Sequence, residues 1–269
     1  MKITLFYFSG TGNTKWAVEQ FDEIVSDKGC DCKIYSIEDE LNNLGDIINK
    51  TELIGFAFPI YGANVPDIMQ RFIEQFKGVL NNTIKKQTFL ITTAGYIDAF
   101  GPFVAGNLLK RNGLKLIGYI NLKISNNIST PKIKGNFPNS QKLKIRMDKS
   151  RYTISKLIDR LSVKKKYIRN IGFYLLPGII IRKAATKGLK DNYLALSINK
   201  EKCCQCMLCV KNCPTKSIIF VNNEFNFLPS CTACMRCYNF CSSFAIYHKG
   251  KYADPGIYRR YRGLQNILK

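Results

Sequence analysis

Eight of the eleven cysteines lie in two matched runs in the last quarter of the sequence. Both runs have the spacing CxxCxxCxxxC, and each cysteine of the second run lies 28 residues after its counterpart in the first. The members are Cys203, Cys206, Cys209 and Cys213 in the first run, and Cys231, Cys234, Cys237 and Cys241 in the second. Three cysteines at this spacing can bind one face of an iron-sulfur cube, and the fourth can reach a second cube. The pattern therefore predicts two 4Fe-4S clusters.

Two other uses of cysteine fit this spacing poorly. Structural zinc takes four ligands, usually as two CxxC pairs set well apart, so each run has too many thiolates for one tetrahedral ion. A disulfide framework needs an oxidising compartment, and nothing upstream of the runs indicates one.

Residues 197–247 closely resemble the ferredoxins of anaerobic bacteria that carry two 4Fe-4S clusters. The resemblance implies that the fourth cysteine of each run binds the cluster of the other run. One cluster is then held by Cys203, Cys206, Cys209 and Cys241, and the other by Cys231, Cys234, Cys237 and Cys213. Ser242 stands where the first run has Pro214, so the turn after Cys241 should be less rigid. We interpret Cys204 as a spare thiol or a small packing residue.

The N-terminal residues form a second chemical motif. Residues 3–8 are apolar and rich in aromatic side chains, which suits a buried parallel strand, and a helical pattern begins at residue 14. The loop between them is Ser9, Gly10, Thr11, Gly12, Asn13 and Thr14. Its backbone N–H groups and the hydroxyls of its serine and threonines can surround a phosphate. The loop lacks GxxxxGK[ST], and Lys15 occupies the third glycine position of GxGxxG, so we expect a terminal monophosphate rather than a pyrophosphate.

The rest of residues 1–122 alternates between strand and helix patterns. Further strands are predicted at 31–36, 53–58, 87–92 and 115–121, and helices at 14–27, 66–76 and 103–112. This alternation predicts an α/β fold with a doubly wound, five-stranded parallel sheet. In such sheets the ligand binds beyond the carboxyl ends of the strands.

The loops at those strand ends resemble the flavodoxin family. The first is the phosphate loop above, and the other two contain Pro59, Tyr61, Gly62 and Ala63, and Thr93, Ala94, Gly95 and Tyr96. The resemblance implies a flavodoxin-like FMN domain over residues 1–122. It makes Tyr61 and Tyr96 candidates to stack on the flavin ring and Gly62 the flexible peptide near flavin N5, although the tyrosines could also be ordinary aromatic residues at loop edges. The only loop carboxylates are Asp67 and Asp98, so a reduced flavin anion should form more easily than in typical flavodoxins.

The net charge of +22 comes mainly from two segments. Residues 123–196 are predicted to be a basic connector with a cationic helix at 141–166 and an apolar run at 171–181, and residues 248–269 a basic tail. We expect the apolar run to hold the ferredoxin domain against the flavin domain. The basic surface indicates an acidic redox protein as partner, with peripheral contact to an anionic membrane as an alternative. Nucleic acid is not favoured, because no DNA- or RNA-binding motif accompanies the charge.

Chain length, the length of the apolar segments and the catalytic motifs limit the kinds of protein that this sequence could encode. The chain of 269 residues is long enough for two domains, and no segment approaches the roughly 20 apolar residues of a transmembrane helix. The first apolar run is too short for a signal peptide and leads into a glycine loop, so we expect a cytoplasmic protein. No catalytic triad, zinc-type histidine pair or carboxylate pair indicates hydrolysis.

The whole chain resembles the flavodoxin–ferredoxin fusion proteins of anaerobic bacteria. The resemblance implies an electron-transfer flavoprotein with two 4Fe-4S clusters and FMN, which links one-electron and two-electron partners. An FMN-dependent reductase of a small organic acceptor is the alternative, and an open pocket over the flavin ring would favour it. A cluster-bearing sensor that docks through its basic connector is a third hypothesis.

Overall fold

The computed structural model describes residues 1–80, 85–95, 101–169, 182, 185–186, 188–189 and 191–264, with the backbone alone for 101–104. Six strands form the main sheet: β1 (Lys2–Tyr7), β2 (Asp31–Ser36), β3 (Leu53–Pro59), β4 (Lys86–Ala94), β5 (Leu114–Lys123) and β6 (Tyr167–Ile168). Their spatial order is β2-β1-β3-β4-β5-β6, and every neighbouring pair is parallel.

The strand order identifies the fold class. An order of 2-1-3-4-5 is the flavodoxin-like form of the doubly wound sheet. The strands are all parallel, but the order in which they follow one another across the sheet changes direction, and this switch point lies between β1 and β3. The predicted fold class is therefore confirmed, with one strand more than expected. The short β6 pairs with β5 at Gly118 and Tyr119 and comes from the segment predicted to be a connector.

Helices cover both faces of this sheet: α1 (Asn13–Asp27), α2 (Leu44–Asn49), α3 (Asp67–Glu74), α4 (Gly101–Arg111) and α5 (Ser140–Ser162). Alternate strand residues point to opposite faces, and the core has two halves accordingly. Phe21 of α1 and Leu157 of α5 are buried in one half, and Phe72 of α3 and Leu109 of α4 in the other. The cationic helix α5 is thus a layer of the sheet domain.

A small second domain follows a 3₁₀ turn at Asp191–Ala195. It consists of β7 (Leu196–Ile198), α6 (Leu208–Lys211), β8 (Ile218–Val221), β9 (Glu224–Phe227), α7 (Arg236–Phe240) and β10 (Ile246–His248). β7 pairs antiparallel with β10, and β8 with β9. The β8–β9 turn places Asn222 and Asn223 at φ 51° and 61°, as a two-residue type I′ hairpin requires. Leu196, Tyr238 and Ile246 belong to its own buried core.

The described residues include no helix that is both long and apolar enough to cross a membrane. The apolar run at 171–181 lies outside them, so its predicted role as an inter-domain clamp stays a prediction.

Candidate functional site

The two cysteine runs repeat in backbone conformation as well as in sequence. Left-handed residues recur 28 positions apart: Gln205 and Ala233 at φ 49° and 56°, Met207 and Met235 at 55° and 58°, and Lys216 and Phe244 at 50° and 54°. A non-glycine residue with positive φ is uncommon. Three matched pairs of them mean that both loops bend their cysteines inward in the same way.

The structure brings the fourth cysteine of each run to the first three of the other. Cys209 interacts electrostatically with Cys203, Cys206 and Cys241, and we call these four the outer set. Cys237 interacts with Cys234, Cys231 and Cys213, and we call these four the inner set; its smaller interaction with Cys209 shows that the two sets are neighbours. The grouping is the one that the ferredoxin resemblance implies.

The two sets differ in burial. Cys206 of the outer set is exposed, whereas Cys234 of the inner set is 7% exposed. Burial, against a smaller opposing effect of the backbone and Arg236, raises the pKa of Cys234 to about 12. Burial likewise raises the pKa of Cys209 to about 11, and the neighbouring cysteines of its set add to the shift. Free thiols here would stay protonated at neutral pH, so iron has to replace the protons for the thiolates to form.

The arrangement fits a cluster better than a single ion. None of the eleven cysteines forms a disulfide. Within the described part of the chain, no three His, Cys, Asp or Glu side chains are close enough to share one metal ion. A 4Fe-4S cube does not require such convergence, because each of its four thiolates binds a different iron.

The phosphate loop connects β1 to α1. Ser9 Oγ accepts hydrogen bonds from the N–H groups of Gly12 (3.2 Å) and Lys15 (3.1 Å) and keeps its own proton to donate. Gly12 has a φ of 104°, which is unfavourable for other residues. Four backbone N–H groups at this helix start find no acceptor among the described residues, namely those of Gly10, Thr11, Asn13 and Thr14. Unpaired amides at a helix N-terminus bind anions, so the loop suits a phosphate.

The threonine hydroxyls of this loop also contact the rest of the domain. Thr14 Oγ1 forms a hydrogen bond of 2.8 Å with Thr93 Oγ1 on β4. Thr11 Oγ1 accepts one of 3.1 Å from Asn127 Nδ2, in the segment after β5. The loop is therefore fixed from two sides.

A cavity at the carboxyl ends of the strands contains most of the predicted cofactor-binding residues. Its lining includes Ser9, Gly10, Thr11, Asn13, Thr14, Pro59, Tyr61, Gly62, Thr93, Ala94 and Gly95. Gly12 and Ala63 do not line it, and Tyr96 lies outside the described residues. A fourth loop, residues 125–128, also lines the cavity, as does Ala233 between two cysteines of the inner set, and neither was predicted from the sequence. The cavity therefore reaches from the phosphate loop to the inner set.

Tyr61 lies between this cavity and the cysteines. Gly62 and Ala63 form the tip of a tight turn closed by hydrogen bonds between Tyr61 and Asn64. The turn directs the Tyr61 ring inward, where it is 8% exposed. A Cβ atom on Gly10 would lie 2.1 Å from Tyr61 Oη and 3.2 Å from Cys234 Cβ, so only glycine fits at this junction.

Arg236, two residues after Cys234, joins the two domains. Nε donates to the Gly10 carbonyl (2.9 Å), and Nη2 donates to the Ser9 carbonyl and to Glu38 (2.7 Å each). Nη1 donates to Glu38 (2.7 Å) and to the Asn212 carbonyl (2.9 Å), so all five N–H donors are used. Although burial opposes it, the Glu38 carboxylate raises the pKa of Arg236. No pattern in the sequence had indicated that Arg236 joins the two domains.

Two further contacts from α7 reach the loop after β5. Tyr238 Oη donates to the Ser129 carbonyl (2.8 Å), and Asn239 Nδ2 donates to the Asn127 carbonyl (3.0 Å). Because Asn127 also donates to Thr11, the ferredoxin-like domain contacts the phosphate loop from a second side.

The C-terminal segment predicted to be a basic tail packs against both domains. Tyr261 is 1% exposed, and its hydroxyl donates to the Asn13 side chain. The backbone N–H of Tyr261 donates to Asn239 Oδ1 (3.0 Å). Leu264 belongs to the core of the sheet domain, whereas Arg260 stacks on Tyr238, 3.3 Å from the ring centroid. The tail therefore connects the phosphate loop to α7.

Residues 196–219 match the family model described as "4Fe-4S binding domain". The matched segment contains all four cysteines of the first run. No curated protein matches the chain.

Several solved structures resemble the sheet domain at low sequence identity. A flavodoxin from the domain Archaea is 17% identical, with 60% of this chain and 99% of that chain covered and a TM-score of 0.42. A flavodoxin of Streptococcus pneumoniae TIGR4 is 16% identical, covering 60% and 98%, with a TM-score of 0.43. A flavo di-iron protein of Thermotoga maritima is 18% identical, covering 61% of this chain and 36% of that one, with a TM-score of 0.43. The fold assignment itself is based on the strand order described above.

Proposed function

We propose that this protein is an electron-transfer flavoprotein that passes electrons between two 4Fe-4S clusters and FMN. The observation that carries the proposal is the direct contact between the inner set and the phosphate loop. Cys234 packs against Gly10, and Arg236 of the same loop donates to the carbonyls of Ser9 and Gly10. A cluster domain that merely shared a chain with a flavin domain would not need this contact.

The residues of the chain would hold the cofactors as follows. The outer and inner sets would each bind one cluster. The free amides and hydroxyls of the loop from Ser9 to Thr14 would bind the FMN phosphate, and the loops at 59–62, 93–95 and 125–128 would surround the rest of the flavin. When bound, each cluster exchanges single electrons and FMN stores one or two.

The difference in burial between the two sets indicates which cluster would meet an external partner and which would meet the flavin. The outer set reaches solvent through Cys206, whereas Cys234 of the inner set is buried beside the cofactor cavity. An external redox protein would therefore exchange electrons at the outer set, and the flavin at the inner set. No carboxylate is among the described residues that line this cavity, and Glu38, which approaches the phosphate loop, is paired with Arg236. The flavin surroundings thus carry little negative charge, which favours a reduced anionic flavin.

The partner we propose is an acidic redox protein. Helix α5 and the residue that follows it present an exposed stripe with Ile145, Tyr152 and Val163 at 49%, 62% and 61% exposure, interleaved with Lys149 and Lys156. Apolar side chains surrounded by exposed cations suit a partner surface that is acidic with an apolar centre. An anionic membrane surface is the alternative partner for the same face.

One observation supports the alternative function, reduction of a small organic acceptor. A cavity of about 680 Å³ opens between Tyr61, Gln70, Cys231 and Thr232. Its size is within the usual range for small-molecule sites. Steady-state reduction of quinones or nitro compounds by the loaded protein, without a protein acceptor, would support this function.

The test is anaerobic reconstitution of the wild type and of Cys213→Ser. Wild type should bind about eight iron atoms and one FMN, and chemical reductant should reduce the clusters and the flavin. Cys213→Ser should lose the EPR signal of the cluster held by Cys231, Cys234 and Cys237 and keep the other, although Cys213 belongs to the first run. Loss restricted to the outer cluster would overturn the cross-ligation, and failure to bind FMN would overturn the proposed function.

A further inference from the structure

Several buried donors around the inner set have no regular hydrogen-bond partner among the described residues. Across the described residues, seven buried side-chain nitrogen or oxygen atoms form no hydrogen bond. Five of the seven belong to four residues beside the inner set, namely Tyr61 Oη, Asn192 Nδ2, Thr232 Oγ1, and Arg260 Nε and Nη1. A buried donor without a partner costs free energy, so a concentration of them needs an explanation.

Each of the four residues lies against an inner cysteine. Tyr61 Oη lies beside Cys234 at the Gly10 junction. Thr232, 5% exposed, directly follows Cys231. Burial raises the pKa of Cys231, and the Asn192 side chain opposes this as a hydrogen-bond donor to the same cysteine, so it already approaches the sulfur that would bind iron.

Arg260 supplies a charge as well as donors. Its guanidinium stacks on Tyr238, the residue after Cys237, and interacts electrostatically with Cys237. Its hydrogen bond from Nη2 to the Ile246 carbonyl is long, at 3.4 Å, and Nε and Nη1 are unpaired. A buried cation needs a compensating anion.

We propose that Tyr61, Asn192, Thr232 and Arg260 act on the sulfurs of the inner cluster, through hydrogen bonds and one fixed positive charge, and so raise its reduction potential. The proposal rests on the proposed function, because it requires that the inner set binds a cluster. The thiolates and sulfides of a 4Fe-4S cluster are hydrogen-bond acceptors and carry net negative charge. They would therefore accept hydrogen bonds from the five unpaired atoms beside the inner set.

The physical consequence concerns the direction of electron flow. Reduction adds one negative charge to a cluster, and burial without compensation disfavours that charge. The buried inner cluster would then be harder to reduce than the outer one, and an electron entering at Cys206 would stop there. Hydrogen bonds to cluster sulfurs raise the potential, so the donors offset burial and let the electron continue to the flavin.

The two sets differ in this respect. The two remaining unpaired atoms lie elsewhere, since Thr88 Oγ1 is in the sheet core and His248 Nδ1 is on β10. An ordinary hydroxyl contact is common to both sets: Ser243 Oγ lies 3.6 Å from Cys241 Sγ of the outer set, and Thr215 Oγ1 lies 3.8 Å from Cys213 Sγ of the inner set.

The experiment is an EPR-monitored redox titration of the reconstituted protein, with the inner signal identified by its loss in Cys213→Ser. Tyr61→Phe and Thr232→Val each remove one donor with little change of shape, and Arg260→Met removes the charge. All three should lower the inner potential and leave the outer potential unchanged. For Arg260→Met we expect at least a tenfold fall in the reduction equilibrium constant, which is 59 mV for a one-electron couple.

Two controls make the result specific. Thr88→Val removes another orphaned buried hydroxyl, in the sheet core, and should change neither potential. Titration of FMN-free protein should show the same shift for Tyr61→Phe, because the effect does not pass through the flavin. An unchanged inner potential in all three variants, or an equal shift of both clusters, would overturn the proposal while leaving the proposed function intact. A wild-type protein without an inner cluster would overturn both.

Discussion

Replacement of Arg236 tests whether the contact between the domains supports electron transfer. Arg236→Met removes five hydrogen bonds, two of them to the Glu38 carboxylate, across an ion pair that is only 19% and 24% exposed. Loss of one partner of a buried pair costs roughly 3 to 5 kcal/mol, and partial solvent access lowers this to about 3 kcal/mol for Arg236. Since 1.4 kcal/mol is a factor of ten, the docked arrangement should weaken about a hundredfold relative to the undocked one.

The control is Arg71→Met, because Arg71 also pairs with a carboxylate, Asp67, but at 49% and 58% exposure on α3. An exposed pair of this kind contributes about 0.2 to 1 kcal/mol. Arg236→Lys should be intermediate, since lysine keeps the charge and loses the planar fork.

Two measurements decide the outcome. Stopped-flow spectroscopy would follow flavin reduction through the clusters, and urea unfolding would report stability, in variants with unchanged iron content. Flavin reduction should be slower in Arg236→Met than in wild type, while direct chemical reduction of the clusters keeps its rate. If Arg236→Met matches Arg71→Met in both stability and rate of flavin reduction, the contact between the domains does not support electron transfer.

Two further predictions concern the phosphate loop and α5. The double variant Thr11→Ala with Thr14→Ala should lower FMN affinity by two or more orders of magnitude and leave riboflavin affinity nearly unchanged, because each hydroxyl bond to a charged phosphate contributes about 1.5 to 3 kcal/mol. Titrations of both ligands measure this, and equal weakening would place the phosphate elsewhere. A double variant on α5, Lys149→Glu with Lys156→Glu, should weaken binding of an acidic redox protein and reduce the salt dependence of that binding. The matched control on α4, Lys110→Glu with Arg111→Glu, should change neither. Binding to anionic vesicles should be weak and lost at moderate salt, and salt-resistant binding would instead favour a membrane partner.

The sheet and the cysteine runs were predictable because their signals are local. A buried parallel strand needs a continuous apolar run, so β1 and β3 stand out in the sequence. The 28-residue offset of the cysteines likewise recurs in the left-handed residues Gln205 and Ala233. Helix α2 was missed, since its six residues lie in a polar stretch and only Ile48 is fully buried.

The contacts between the domains could not be predicted from local patterns. Arg236 and Glu38 are 198 positions apart, and neither residue type nor spacing distinguishes them from other charged residues. The same holds for Tyr61. Its position in the loop predicted a stacking residue, but whether its hydroxyl meets the flavin or Cys234 depends on how the second domain packs.

The basic side chains of the tail and of α5 have different surroundings in the structure, which the sequence did not predict. The sequence assigns net positive charge to both segments, and this charge predicted an acidic redox protein as partner. In the structure, Arg260 of the tail stacks on Tyr238, and Arg262 donates to the Cys241 carbonyl, so these cations face the cysteine sets. Their positive charge acts on the negative clusters within the molecule. Lys249, Lys251 and Arg259 of the tail stay exposed, as do Lys149 and Lys156 of α5. Added salt should therefore weaken the binding of a partner to these exposed cations more than it weakens the half-buried contact between the two domains.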